Sequence, residues 1–350
     1  MTQGLAWFAR WTQRALATLE SRRLGPLWLG LALFAGIAVL YALWSAMFGL
    51  VLPGLDSDEG RVARIRVVIA LLTAFLVVTE RWDRRCSARD LARLRPLSGC
   101  SQSEFASILG ELDRFGRRQR LVVGLVGVAL GVAVIAATSA DPGALLAASA
   151  WSADLVWAIL ANVVLFALMA RGFYTGIAAR RALDRMARSL ARIDLLDRAA
   201  LHPFARQGLR RAFYWAGGSS IASLLALDLP RLWPLFAILA ATVALATLAL
   251  LEPARVIRGR LGEEKRVELG RVRSRIEGAK GAALGRGGAR AGGEAALLPG
   301  LLAYEARIES VSEWPFDTPT LLRFAALLVV AIGSWLGGAV VERLLGSVLD

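Results

Sequence analysis

Nucleophilic and metal-ligating side chains are scarce in this chain, and those present do not cluster. His202 is its single imidazole, and Cys86 and Cys100 are its only thiols. An ordinary zinc site needs several His or Cys ligands, more than one His and two separated thiols supply. A Ser-His-Asp arrangement would need His202 as its base, yet the sequence has no Gly-x-Ser-x-Gly elbow to present the nucleophile. His202 stands before Pro203 at a helix corner and reads as structural. Gly278 to Gly293 is rich in Gly, Ala and Arg, but it lacks the Gly-x4-Gly-Lys-Ser/Thr pattern and follows no apolar strand. It reads as a flexible linker, not a phosphate loop. We therefore assign no catalytic residue, metal ligand or cofactor, and expect no enzyme.

What the chain does carry is apolar length. It has 350 residues, 56% of them hydrophobic, and a mean hydropathy of +0.53. Several runs reach the roughly 20 residues that cross about 30 Å of hydrocarbon. Its net charge of +14 would suggest nucleic acid in a soluble protein. In a membrane protein the plainer cause is that Lys and Arg collect in cytoplasmic loops, so no nucleic-acid partner is expected. Forty of the 42 basic residues are Arg, a bias consistent with a GC-rich bacterial genome. Both cysteines fall in a segment assigned to the cytoplasm, where reduced thiols are the rule.

The expected fold is all-α, a polytopic bundle of about seven membrane spans with helical cytoplasmic insertions. Residues 1–26 read as a cytoplasmic amphipathic helix, 27–79 as spans one and two, and 80–120 as a cytoplasmic helical loop broken at Pro96 to Gly99. Residues 121–170 hold spans three and four, 171–212 a second basic helical loop, and 213–252 spans five and six. Residues 253–320 are read as a cytoplasmic helix and Gly-rich linker, and 321–341 as span seven. Span two is expected from about Val62 to Thr79, and span six is expected to end at Glu252-Pro253. In this threading 36 of the 42 Lys and Arg fall in the four cytoplasmic segments. That asymmetry places the N-terminus in the cytoplasm of a bacterial inner membrane and the C-terminus in the periplasm.

Several residues stand out within this frame. Gly127 with Gly131, and Gly333 with Gly337, form Gly-x3-Gly pairs that let helix backbones approach closely. The first reading is packing inside the bundle; a homo-oligomer interface through span seven is the second. Pro203 and Phe204 recur in spacing as Trp314, Pro315, Phe316 and Asp317, each group leading into a span. These read as interfacial corners, or as two related docking units. Arg61, Arg64 and Arg66 sit against the charge rule at the outer end of span two. They are expected to pair with Asp56, Asp58 and Glu59, or to form a vestibule for anions.

Ionisable groups are essentially absent at mid-depth in the other spans, which disfavours proton-coupled transport. Asn162, Ser219, Ser220 and Ser223 are the neutral polar features there. The chain therefore reads as a non-enzymatic membrane scaffold presenting basic helices to a cytoplasmic protein partner, on a bilayer with anionic headgroups. An oligomeric ion channel or small-solute transporter is the alternative.

Overall fold

The computed structural model describes residues 25–49, 58–113, 116–138, 151–190, 202–226, 233–283, 296–312 and 318–330, together with 195, 314, 316, 332 and 333. Nearly all of the helix expected at 1–26, residues 284–293 of the Gly-rich segment, Pro315, Asp317 and Gly337 lie outside these.

The described residues are almost entirely helical. We number the helices α1 (Gly25–Met47), α2 (Asp58–Leu94), α3 (Gln102–Asp113), α4 (Arg117–Thr138), α5 (Ala153–Arg188), α6 (His202–Ser223), α7 (Trp233–Ala283) and α8 (Leu298–Glu309), followed by α9 (Thr318–Val330). Four of them, α1, α2, α5 and α7, are long and apolar enough to cross a membrane; α4 and α9 carry shorter apolar stretches. α6 is not in either group, because Arg206, Arg210 and Arg211 charge its first half and Gly217, Gly218, Ser219 and Ser220 dilute its second.

The main departure from expectation concerns where helices end. Apolar segments were expected to stop at Thr79, Ala170 and Glu252, with separate helices beyond. Instead α2 runs on for 37 residues, α5 for 36 and α7 for 51. At 1.5 Å per residue α7 is about 76 Å long, far more than the ~30 Å of hydrocarbon. Change of composition ends a membrane span, but it does not end a helix, because Arg, Glu, Leu and Ala are all good helix formers. Pro253 removes one backbone donor, yet it lies inside α7 and does not terminate it. Gly278 to Ala283, expected as loose linker, form its last turns. The corner at Pro203 moves as well: His202 and Pro203 open α6, about ten residues before the expected start of span five.

The extended basic ends share a hydrophobic core. Leu91 and Leu94 of α2, Phe105, Ile108 and Leu112 of α3, and Leu183 and Met186 of α5 are buried together with Phe204, Ile257, Leu261, Val272 and Ile308. The apolar faces of α3 through Phe105 and of α5 through Leu183 are therefore core faces. α3 is held by a capping box: Glu104 N–H donates to Ser101 Oγ at 3.2 Å, and Ser101 N–H donates to Glu104 Oε2 at 2.9 Å. An antiparallel bridge joins Ser98 to Leu190. α8 folds back on α7, where Arg273 pairs with Glu305 and Glu309 at 2.7 Å each.

In the apolar half, α4 packs on α5, α1 on α2, and α6 and α7 form a hairpin. Gly208 lies against Leu250, and Ala212, Ala246 and Leu250 make a second small core that receives Phe316, Phe324 and Leu328.

A charged belt where the apolar segments end

Four helices change from apolar to polar at one level, and there their charged side chains interlock. α2 contributes Glu80, Asp83, Ser87 and Asp90, successive positions three or four apart and so one face of the helix. Opposite it, Arg210 of α6 donates from Nη1 to Asp90 Oδ2 at 2.6 Å, and its Nε lies 3.4 Å from Asp83 Oδ1. Nη2 reaches Ser87 Oγ at 3.4 Å. The next residue, Arg211, turns the other way, to Glu252 of α7 at 3.3 Å and to the carbonyl of Gly176 on α5. Arg180 of α5 pairs with the same Glu252 and lies 3.7 Å from Asp184. Arg171 closes the ring, 2.9 Å from Glu80, which Arg84 also contacts.

The innermost members are the least exposed. The side chains of Arg210, Asp83 and Asp90 are 13%, 13% and 6% exposed. Burial works against the Arg210 charge, but Asp83 and Asp90 outweigh it and hold its pKa above the ordinary value. For Arg211 burial prevails over Asp83 and Glu252, and its pKa is lowered. The two neighbours thus differ in how completely carboxylates compensate them. Burial also pushes the Asp184 carboxyl up, against the opposing pull of Arg180, Arg188 and Arg211.

Aromatic rings sit beside the belt. Trp82 meets Phe213 edge-on at 6.4 Å, and Phe173 meets Trp215 at 5.6 Å. Such rings favour the headgroup level. Rings and charges together mark where the apolar layer stops. Its carboxylates on α2 and α7 are held by guanidinium groups of α5 and α6, so the belt ties four helices together.

A cleft of about 600 Å³ opens beyond the belt, between α3 and the end of α5. Cys100, Glu104, Ser107, Ile108, Arg185 and Arg188 line it. Arg185 is paired with Glu111, whereas Arg188 is exposed, with no carboxylate within ion-pair distance among the described residues. His, Cys, Asp and Glu form no group of three or more that could hold a metal among the described residues.

With this geometry in hand, the chain matches no family model, no curated protein and no solved structure. The site stands on its own residues.

The residues singled out from sequence are dispersed. Gly127 and Gly131 pack against Ala167 and Val163 of α5, so that pair serves packing within the chain. A Cβ at Gly333 would meet nothing within 4 Å among the described residues. The two proposed corners differ: Phe204 is buried in the main core beside the start of α6, while Trp314 and Phe316 stack at 6.1 Å in the non-helical approach to α9. Of the outer cluster, Arg61 lies in the first turn of α2 and Arg64 in the second. Arg66 pairs with Asp154 at the start of α5; the side chains of Asp56, Asp58 and Glu59 lie outside the described residues. Arg66 also donates to Tyr41 Oη and lies over that ring at 4.9 Å. Trp157 packs on Tyr41 at 5.2 Å, and Trp44 Nε1 donates to the Ala153 carbonyl at 3.0 Å. These contacts tie α1, α2 and α5 together at the end opposite the belt.

The belt itself was missed by sequence reasoning, which counted its Arg residues without asking what paired with them. The usable signal lay in the minority acids. Glu80, Asp83 and Asp90 share one helical face in a segment otherwise dense in Arg, and Arg210-Arg211 stands where the next apolar run begins.

Proposed function

We propose that the chain is a multipass inner-membrane scaffold of about seven spans, N-terminus cytoplasmic and C-terminus periplasmic, non-enzymatic, presenting its basic helical layer to a cytoplasmic protein. The observation that carries this reading is the unbroken passage of α2, α5 and α7 from apolar segments into a layer with its own core. Such a layer moves as one body with the bundle, as an assembly platform must. The cleft between α3 and α5 suits an acidic segment of the partner, with the exposed Arg188 on its wall to receive a carboxylate and Ile108 and Leu190 offering apolar contact.

The polar groups of the apolar half support the scaffold over a conducting pore. Ser220 Oγ donates to the Ala216 carbonyl at 2.8 Å, Ser223 Oγ to the Ser220 carbonyl at 2.6 Å, and Asn162 Nδ2 to the Ala158 carbonyl at 2.9 Å. Groups bonded back to their own helix offer little to a permeating ion.

Reconstitution of purified protein in planar bilayers tests this directly. No selective conductance is expected, while photoreactive residues placed at Ser107 or Arg188 should give a discrete cytoplasmic adduct that one at Leu130 does not. A selective current abolished by a bulky residue at Gly333 would replace the scaffold with a channel. For the threading, a membrane-impermeant maleimide should label Cys100 in inside-out vesicles and spare it in right-side-out ones. The reverse pattern would invert the topology.

A further inference from the structure

Two ion pairs frame the apolar half, and both join α2 to α5. At the belt Glu80 pairs with Arg171 at 2.9 Å, and at the far end Arg66 pairs with Asp154. Between the pairs neither helix is charged: residues 67–79 of α2 and 155–170 of α5 hold no Asp, Glu, Lys or Arg. The more exposed member of each pair stands on α5, Asp154 at 40% and Arg171 at 47%. Charge open at the surface of the bundle is costly in hydrocarbon, so both levels belong among headgroups. Asp154 and Arg171 are 17 residues apart, about 26 Å along a helix. On α2, Arg66 and Glu80 are 14 residues apart, about 21 Å. Aromatic rings repeat the interval. Trp157 packs on Tyr41 beside the far pair, and Phe173 meets Trp215 beside the belt. These two α5 rings, of a type that favours the headgroup level, are 16 residues apart, about 24 Å. The apolar stretch of α4, Leu121–Ala136, has the same length.

We propose that the apolar half is fitted to a hydrocarbon layer about 24 Å thick, thinner than the ~30 Å of a typical bilayer, and so selects a collar of short-chain phospholipid. Tilt shortens every one of these intervals along the membrane normal, which makes about 26 Å an upper limit. A loose arginine would snorkel outward and close the gap. Arg66 is instead held by Asp154 and Tyr41 Oη, and Arg171 by Glu80, whose side chain is only 7% exposed. The longer α1, 23 residues without a charge, packs on α2 and meets a thin layer by tilting. Chain length, not headgroup charge, is the property recognised. The fit rests on the membrane-spanning part of the reading above and not on partner docking.

The test reconstitutes the full-length protein in phosphatidylcholines with paired myristoleoyl, palmitoleoyl, oleoyl or eicosenoyl chains, each competed against a brominated phosphatidylcholine. Quenching of tryptophan fluorescence reads which lipid occupies the collar, and Trp28 and Trp82 are exposed to report it. Relative binding should be strongest for the two shorter chains and fall roughly fivefold by eicosenoyl, since mismatch costs a fraction of a kcal/mol per Å. A maximum at oleoyl or eicosenoyl, or no dependence on chain length, would overturn the fit. R66L/D154L, which removes the charged level far from the belt, should move the maximum toward oleoyl. R273A, in the basic layer, should leave it in place. An unmoved maximum in folded R66L/D154L would also overturn the fit, and the wild-type profile decides alone where that variant does not fold. Protein that carbonate strips from the membrane would instead overturn the membrane reading, a failure distinct from that of the thickness fit.

Discussion

Arg210→Ala is expected to cost about 3–5 kcal/mol of stability, because it leaves buried carboxylates without their cation. Asp83 and Asp90 converge on that one guanidinium, and Ser87 donates no compensating charge. The loss should appear as a large fall in the melting temperature of detergent-solubilised protein. It should be far smaller for Arg273→Ala, whose ion pairs with Glu305 and Glu309 are exposed and screened by solvent. The sharper comparison is removal of the whole group. Asp83→Asn/Asp90→Asn/Arg210→Met should recover much of the lost stability, since an uncharged, similarly sized set pays no desolvation penalty. If the triple variant is as damaged as Arg210→Ala, specific charge pairing is not what the belt supplies. If Arg210→Ala is nearly silent, the pairs are not buried in the folded protein.

This expectation bears on function because the belt joins what the apolar segments alone would leave loose. Lipid tails are as apolar as Leu, so no hydrophobic force drives helix on helix within a bilayer. Registration must come from close packing or from polar contacts. Here polar contacts gather at one level, Glu80 and Asp83 on α2, Arg180 on α5, Arg210 and Arg211 on α6, and Glu252 on α7. Above that level the same helices share a core of ordinary buried aliphatics. A displacement of one helix end would have to break either the ion pairs or the core.

Amphipathic spacing made part of this legible beforehand. Phe105, Ile108, Leu183 and Met186 were readable as a core face because apolar residues three and four apart fall on one side of a helix, and all four are buried. Apolar run length likewise indicated helices fit to cross a membrane, four of them by length and composition. Helix ends were not legible at Thr79, Ala170 or Glu252, since the residues that follow are as willing to be helical as those before. Nor was the pairing of Arg66 with Asp154, which the fold brings to it from α5. Charge pairing between helices depends on which helices are neighbours, and a single sequence carries no direct record of that.

Glycine provides the second large expected effect, and one that changes sign along a single helix. A Cβ at Gly127 would lie 2.3 Å from Ala167 Cα, and one at Gly131 would lie 2.9 Å from Val163 Cα. Both obstacles are backbone, which cannot rotate away. Gly127→Ala should therefore separate α4 from α5 and destabilise by about 3 kcal/mol, the upper range for overpacking, with Gly131→Ala milder. Gly124, one turn earlier, has nothing within 4 Å. Gly124→Ala should be neutral or stabilising by about 0.5–1 kcal/mol, since glycine inside a helix costs that much relative to alanine. Gly333, equally open among the described residues, should tolerate Leu without loss of stability. Thermal melts of the four single variants in one detergent would check the series. Equal tolerance at Gly124 and Gly127 would mean that α4 and α5 do not meet as described. A large loss at Gly333→Leu would point to a second copy of the chain seated against α9. The same spacing motif thus has two readings, and the nearest backbone atom decides between them.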